Sequence, residues 1–181
     1  AGDIQTTTMM EGVDPGFSAM RNMYPASGGR ILNAQDVVQR RRVAFLGDSI
    51  ARRLFPDTTA IGQTLFVDGV PFTVVGTMVT KIQTSMNNGP DADRVIIPSS
   101  TFATIYGRTT VNSLLVRPRD VTRAPYVRQR TYEVLGSRYQ FDPTDEGALG
   151  IWDFMESMKE TKLIAGGTQI FLGVVGALTL M

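Results

Sequence analysis

The amino-acid sequence predicts a mixed α/β (α+β) fold, and three stretches carry that prediction. Val43-Ala44-Phe45-Leu46 is a continuous apolar run, as in a strand buried on both faces. Gly47-Asp48-Ser49 then turns the chain into a helix. Gln63 to Val67 and Val70 to Val75 are β-prone runs joined by Asp68-Gly69, the signal of a two-residue type I′ hairpin. From Arg94 onward the pattern reads strand, helix, strand, helix, strand, an α/β order.

Composition narrows the function classes. The chain has 181 residues, enough for a core without disulfide staples. Its 18 basic and 17 acidic residues leave a formal charge of +1, which gives no footprint for a nucleic-acid partner. There is no cysteine, so disulfides and thiolate metal sites are excluded. There is no histidine either, which removes the usual general base and the commonest metal ligand. No cofactor signature is present: phosphate-loop and dinucleotide glycine motifs are absent. The start, Ala1-Gly2-Asp3, lacks a signal-peptide pattern, and the chain reads as a fragment of a longer protein.

In chain order, the Thr-rich residues 1–11 are compatible with a strand. Gly12-Val13-Asp14-Pro15-Gly16 has turn chemistry. Phe17, Met20 and Met23 or Tyr24 recur at helical spacing, and Pro25 ends that helix. Asn33 to Gln39 is one or two polar helical turns. Arg40, Arg41 and Arg42 form a solvated strand entrance. After Leu46, Asp48 or Ser49 caps a helix whose Ile50, Ala51, Leu54 and Phe55 share one face. The hairpin register pairs Val67 with Val70 and Leu65 with Phe72, placing Leu65, Val67, Val70, Phe72 and Val74 on the core face. Pro71 places its strand at an edge or leaves that side unpaired.

Lys81 to Asp93 is a polar loop. Arg94 to Pro98 is a strand, followed by a helix capped by Ser99 or Ser100 and ended by Gly107. Val111 to Val116 is predicted as a strand. A helix over 122–135 takes Thr122 as N-cap and Gly136 as the residue after its end. After the Asp142-Pro143 turn, Leu149 to Phe154 reads as a strand or a helix entrance. Leu163 to Met181 carries no charge and matches the start of a membrane helix, long enough for ~30 Å of hydrocarbon. A charged helical approach with Asp153, Glu156, Lys159, Glu160 and Lys162 precedes it.

Phe45-Leu46-Gly47-Asp48-Ser49-Ile50 resembles the first block of GDSL-type serine esterases. A helix start there supplies donors for an oxyanion. The serine needs a base, however, and that family's histidine has no counterpart here. Asp91 and Asp93 near Asn87 and Asn88 lack the spacing of a calcium loop.

A longer ordered series resembles the periplasmic domain of MacB-type (FtsX-like) ABC transporter permeases. It runs through Gly12-Val13-Asp14-Pro15, Gly29-Arg30-Ile31-Leu32, Asp36, Arg42 to Gly47, Leu54-Phe55, Ile61-Gly62-Gln63-Thr64, Gly69 to Gly76 and Val95-Ile96-Ile97-Pro98. The first membrane helix of that family has no counterpart in this chain. The resemblance implies a two-lobed domain: a porter-like lobe over 1–27 and 94–162, an inserted Sabre-like lobe over 28–93, and the start of a transmembrane helix over 163–181.

It further implies a non-catalytic domain of an inner-membrane permease, on the periplasmic side. Such proteins are driven by an ABC ATPase, in the same chain or a separate subunit, and work as dimers with a second permease copy. They transmit ATP-driven movement for export of antibiotics, peptides or lipoproteins, some with a periplasmic adaptor and an outer-membrane channel. Two candidate functional segments follow. Gln83, Ser85, Met86, Asn87 and Asn88 form a partner- or substrate-contact loop. Trp152, Glu156, Lys159 and Lys162 lie on a helix coupling the domain to the membrane segment. The remaining class is a soluble partner-binding module whose last helix packs on its own core.

Overall fold

The structure is a computed structural model that describes residues 4–83, 89–108 and 110–152. The chain divides into two compact units, Ala1–Arg117 and Pro118–Met181. The first holds β1 (Met9–Val13), α1 (Gly16–Met20), α2 (Ala34–Val38), β2 (Val43–Leu46), α3 (Asp48–Leu54), β3 (Thr64–Val67), β4 (Val70–Thr77), β5 (Arg94–Pro98) and α4 (Ser99–Tyr106). Its strands form one sheet in the order β1-β5-β2-β4-β3. β1 runs parallel to β5 and β2 parallel to β4; β2–β5 and β3–β4 are antiparallel. Strands expected in the inserted lobe (β2, β3, β4) therefore share a sheet with strands expected outside it (β1, β5).

Period-two alternation sorts β2 between two cores, as its unbroken apolar run requires. Ala44 and Leu46 point to one side, with Leu65, Phe72, Val74, Val95 and Ile97, under Ile50 and Ala51 of α3. Phe102 and Ile105 of α4 pack against the same side. Val43 and Phe45 point to the other, with Val13, Met23, Leu32, Met78 and Ile96. The hairpin has the expected register, Val67 opposite Val70 and Leu65 opposite Phe72. Asp68 and Gly69 both have positive φ, 48° and 78°, as a type I′ turn demands. Tyr106 donates a 2.6 Å hydrogen bond to Asp68, tying α4 to this turn. β4 is not an edge strand, yet Pro71 is tolerated. β2 begins only opposite Thr73, so no strand faces the missing N–H.

Several caps differ from expectation. The N-cap of α3 is Gly47, without a side-chain bond. Asp48 instead accepts from Arg52 at 2.9 Å and Thr80 at 2.7 Å, and Ser49 caps nothing. Ser99 donates to Asp14 at 2.6 Å, and Ser100 to the Val37 carbonyl, while Pro98 occupies the N-cap of α4. α2 carries a full capping box that the sequence reading left unnamed. Asn33 Oδ1 accepts from Asp36 N at 3.0 Å, and Asp36 Oδ2 accepts from Asn33 N at 2.9 Å. Arg30 closes on the same carboxylate with two bonds, of 2.6 and 3.0 Å. Burial pushes the Asp36 carboxyl up, but Arg30 and the Asn33 amide outweigh it and hold it below the usual range.

In the second unit a 3-10 turn, Val121–Arg123, leads into α5 (Ala124–Tyr139). Asp120, not Thr122, caps the turn. α5 runs past the expected stop, because Gly136 serves close approach rather than termination. A Cβ there would lie 2.9 Å from the Phe141 carbonyl and 3.0 Å from Pro143. The left-handed end residue is Gln140. Tyr132 donates to the Glu146 carbonyl at 2.9 Å, holding the following segment on the same face. At the end of the first unit, the strand expected over 111–116 is not formed. Val111, Leu114, Leu115 and Val116 are exposed, and the run pairs with none of the described strands. Residues 149–152 have no regular structure.

Phe45→Ala should lower unfolding free energy by about 3–5 kcal/mol, because it empties the second core. Ser49→Ala should change it by less than about 0.5 kcal/mol, since no cap is lost. Urea titration followed by circular dichroism measures both.

Candidate functional site: a charged clamp beneath the 81–93 loop

The polar loop leaves the sheet after β4 and returns through a 3-10 turn, Asp91–Asp93, directly before β5. Gly47 lets that turn sit on the start of α3. A Cβ at Gly47 would lie 2.3 Å from the carbonyl oxygens of Asp91 and Ala92. The Gly47 amide also donates to the Arg94 carbonyl at 2.8 Å. The glycine that reads as a strand stop is thus the seat of the loop's return.

Asp91 is 1% exposed and lies at the centre of the clamp. Its Oδ1 accepts from Arg21 Nε at 3.0 Å and stands 2.7 Å from Arg21 Nη2. Its Oδ2 accepts from Lys81 Nζ at 2.6 Å. Lys81 also donates to the Arg21 carbonyl at 2.7 Å. Arg94, equally buried, donates from Nη1 to Glu11 at 2.6 Å and from Nη2 to the Gly89 carbonyl at 3.1 Å. Gln83 bridges the loop ends, accepting from the Asp91 amide at 2.7 Å and donating to the Gly89 carbonyl at 3.5 Å. Arg53 pairs with Asp93 beside them.

Burial raises the Asp91 carboxyl, and the bonds from Lys81 and Arg21 more than reverse it, leaving the group below its ordinary range. A depressed carboxyl stabilises the fold above its unfolded value, about 3.9, and loses that contribution as pH falls through the folded value. The cluster therefore holds charge at neutral pH and lets go in acid.

The arrangement pins the two ends of a loop; it does not assemble chemistry. Asp91 and Asp93, weighed above as cation ligands, are occupied by Arg21, Lys81 and Arg53. Among the described residues no group of three carboxylates or other ligating side chains could hold a metal ion. No hydrogen bond joins Ser49 to a base among the described residues, and the neighbouring Asp48 is engaged by Arg52 and Thr80. Of the expected contact residues, Gln83 sits in the clamp itself; Ser85, Met86, Asn87 and Asn88 lie outside the described residues. Trp152 is exposed, while Glu156, Lys159, Lys162 and the run 163–181 lie outside the described residues. No helix among the described residues is long and apolar enough to cross a membrane. Sequence reading missed Arg21, Lys81 and Arg94 as partners of Asp91. The available signal was Arg94 itself, a charge at the head of an otherwise apolar strand.

Comparison with known proteins gives a concordant result. The family described as MacB-like periplasmic core domain matches residues 1–132. A macrolide export ATP-binding/permease protein MacB from Marinobacter nauticus is 30% identical over 164 residues, covering 87% of this chain and 24% of the relative. The one from Bdellovibrio bacteriovorus is 24% identical over 176 residues, covering 96% of this chain and 27% of the relative. The chain thus spans about a quarter of these relatives' length. Among solved structures, the extracellular domain of the noncanonic ABC-type transporter YknZ from Gram-positive bacteria aligns with a TM-score of 0.63 at 15% identity, covering 74% of this chain and 66% of that one. The periplasmic region of MacB from Actinobacillus actinomycetemcomitans aligns at 0.56 and 20%, covering 73% and 57%. These two likenesses concern the fold.

Asp91→Asn should destabilise the chain by about 3–5 kcal/mol, since Arg21 and Lys81 would be left facing a neutral group. In the parent chain, the urea midpoint should fall as pH drops below about 4, and this acid slope should be shallower in Asp91→Asn. An unchanged slope would remove Asp91 from the acid response.

Proposed function

The chain belongs to the MacB-like periplasmic core domain family, and from this premise we propose that it passes ATP-driven movement to the far side of a membrane as the extracytoplasmic part of an ABC transporter permease. The family match over residues 1–132 carries the reading. The names of these relatives pair an ATP-binding part with a permease and specify macrolide export. The corresponding proposal here is a permease driven by an ABC ATPase, acting as a dimer, with an adaptor and outer-membrane channel as partners. Its cargo would be of the antibiotic, peptide or lipoprotein class.

Two observations support a mechanical role. A domain of this family is generally non-catalytic, and the ATPase is a separate part. The first unit is built for stiffness: two cores on one sheet, with the loop return pinned by buried ion pairs. A stiff body transmits displacement where a soft one absorbs it. Trp152 to Lys162, leading to the charge-free run Leu163–Met181, is the proposed link between membrane and domain. The loop whose ends meet at Gln83 is the proposed contact with partner or cargo.

Inserting a flexible Gly-Ser segment after Lys162 in the full-length protein should abolish export while leaving ATP hydrolysis in place. Transport at the parent rate would refute the coupling role. Shortening the 84–88 segment should reduce transport or partner capture with the urea midpoint unchanged.

A further inference from the structure

Ion pairing differs sharply between the two units. In the first, Arg21, Arg30, Arg41, Arg52, Arg53, Lys81 and Arg94 each stand within 4 Å of a carboxylate. In the second, Arg130 alone is paired among the described residues, to Glu133 at 2.8 Å, an exposed pair that exchanges at little cost. Arg123 and Arg138 are exposed and have no carboxylate partner among the described residues.

Their positions form a pattern. Val127, Arg130, Val134 and Arg138 follow one another at intervals of three or four residues, which places them on one face of α5, and Arg123, the N-cap residue four positions before Val127, heads the same line. That face is opposite Tyr132 and Gly136, the buried residues of α5. Val134 is half exposed, and Tyr126 and Tyr139 stand exposed at either end of the helix. Among the described residues Glu133 is the one carboxylate paired to the stripe, through Arg130. Asp142, Asp145 and Glu146 belong to the segment packed on the other face. Asp120 and Asp142 bond Thr122 and Thr144, and Asp145 bonds the Gly147 amide. The stripe thus carries three guanidinium groups against one carboxylate, Glu133, while Arg128 lies with Tyr132 and Glu146 on the packed face.

We propose that the Arg123–Arg130–Arg138 stripe of α5 docks on anionic phospholipid headgroups. Guanidinium groups bind phosphate with paired hydrogen bonds, and the interleaved valines and flanking tyrosines suit the boundary between headgroup and acyl chain. Tether length brings the two together. The charge-free run begins at Leu163, eleven positions after Trp152, so unit and run stand no more than about 40 Å of extended chain apart. This rests on the reading that Leu163–Met181 enters a membrane. Docking of the stripe would hold the second unit flat on the lipid surface, so that movement of the membrane segment reaches the domain without slack.

The test is partition of the whole 181-residue chain into vesicles of phosphatidylcholine, with and without phosphatidylglycerol, at low and high salt. Phosphatidylglycerol should raise partition about a hundredfold at low salt, and high salt should remove the gain. Arg123→Gln with Arg138→Gln should reduce the gain about thirtyfold. Arg40→Gln with Arg42→Gln, an equal charge loss on the first unit, should leave it intact. Equal partition into both vesicle types would overturn the stripe while membrane entry stands, leaving a protein surface as its occupant. Partition into neither would overturn both readings. Equal losses in the two double variants would reduce the effect to net charge and overturn the assignment to α5.

Discussion

A buried carboxylate between two cations, seated on a glycine, organises the first unit. Asp91 reaches full burial only because Arg21 and Lys81 meet both of its oxygens. Arg94 reaches it because Glu11 and the Gly89 carbonyl accept from its guanidinium. Removing any one charge leaves the others uncompensated in a poor solvent for ions. These groups come from β1, the end of α1, the segment after β4, the turn before β5 and β5 itself. The clamp therefore ties β1 and its neighbour β5 to the loop return, and Gly47 supplies the space in which it closes.

The same constraint recurs at a second buried carboxylate. Asp36 is engaged by Arg30 and the α2 cap, as Asp91 is by Arg21 and Lys81. Asp48 differs, since one of its oxygens is buried without a hydrogen-bond partner among the described residues. Breaking either of the engaged groups would leave a charge uncompensated in the interior. Family membership places the chain among periplasmic core domains, and the two solved structures share its fold.

The second unit is organised by a different economy. α5 buries little more than Tyr132 and Gly136, and its hydrophobic spacing does not form a core stripe. Residues 111–116, at the end of the first unit, show a similar deficit, an apolar run with exposed side chains. A β-prone run becomes a strand only where a neighbour's edge takes its backbone bonds and a surface covers its side chains. This run pairs with none of the described strands, so local propensity went unrealised.

Local chemistry made much of the first unit legible in advance. The Val43–Leu46 run, the Asp68-Gly69 turn with its register, the Arg94–Pro98 strand and the helix ended by Gly107 each depend on neighbours within a few positions, and each is present. The ordered series of short blocks also pointed to the family before any coordinate did. Other features depended on partners remote in sequence. Ser49 lies at a helix start, but the space left by Gly47 belongs to Asp91 and Ala92, more than forty positions away. Gly136 looked like a stop and is a contact, because only the folded chain brings Phe141 and Pro143 against it. Arg21 reaches Asp91 across seventy positions, and nothing local marks it as a partner; Lys81 and Arg94 lie ten and three positions away, yet only the fold turns them onto the same group. Turn geometry and periodicity are short-range properties that a sequence determines by itself. The pairing of buried charges is decided only where the tertiary structure excludes water and brings each ion its partners.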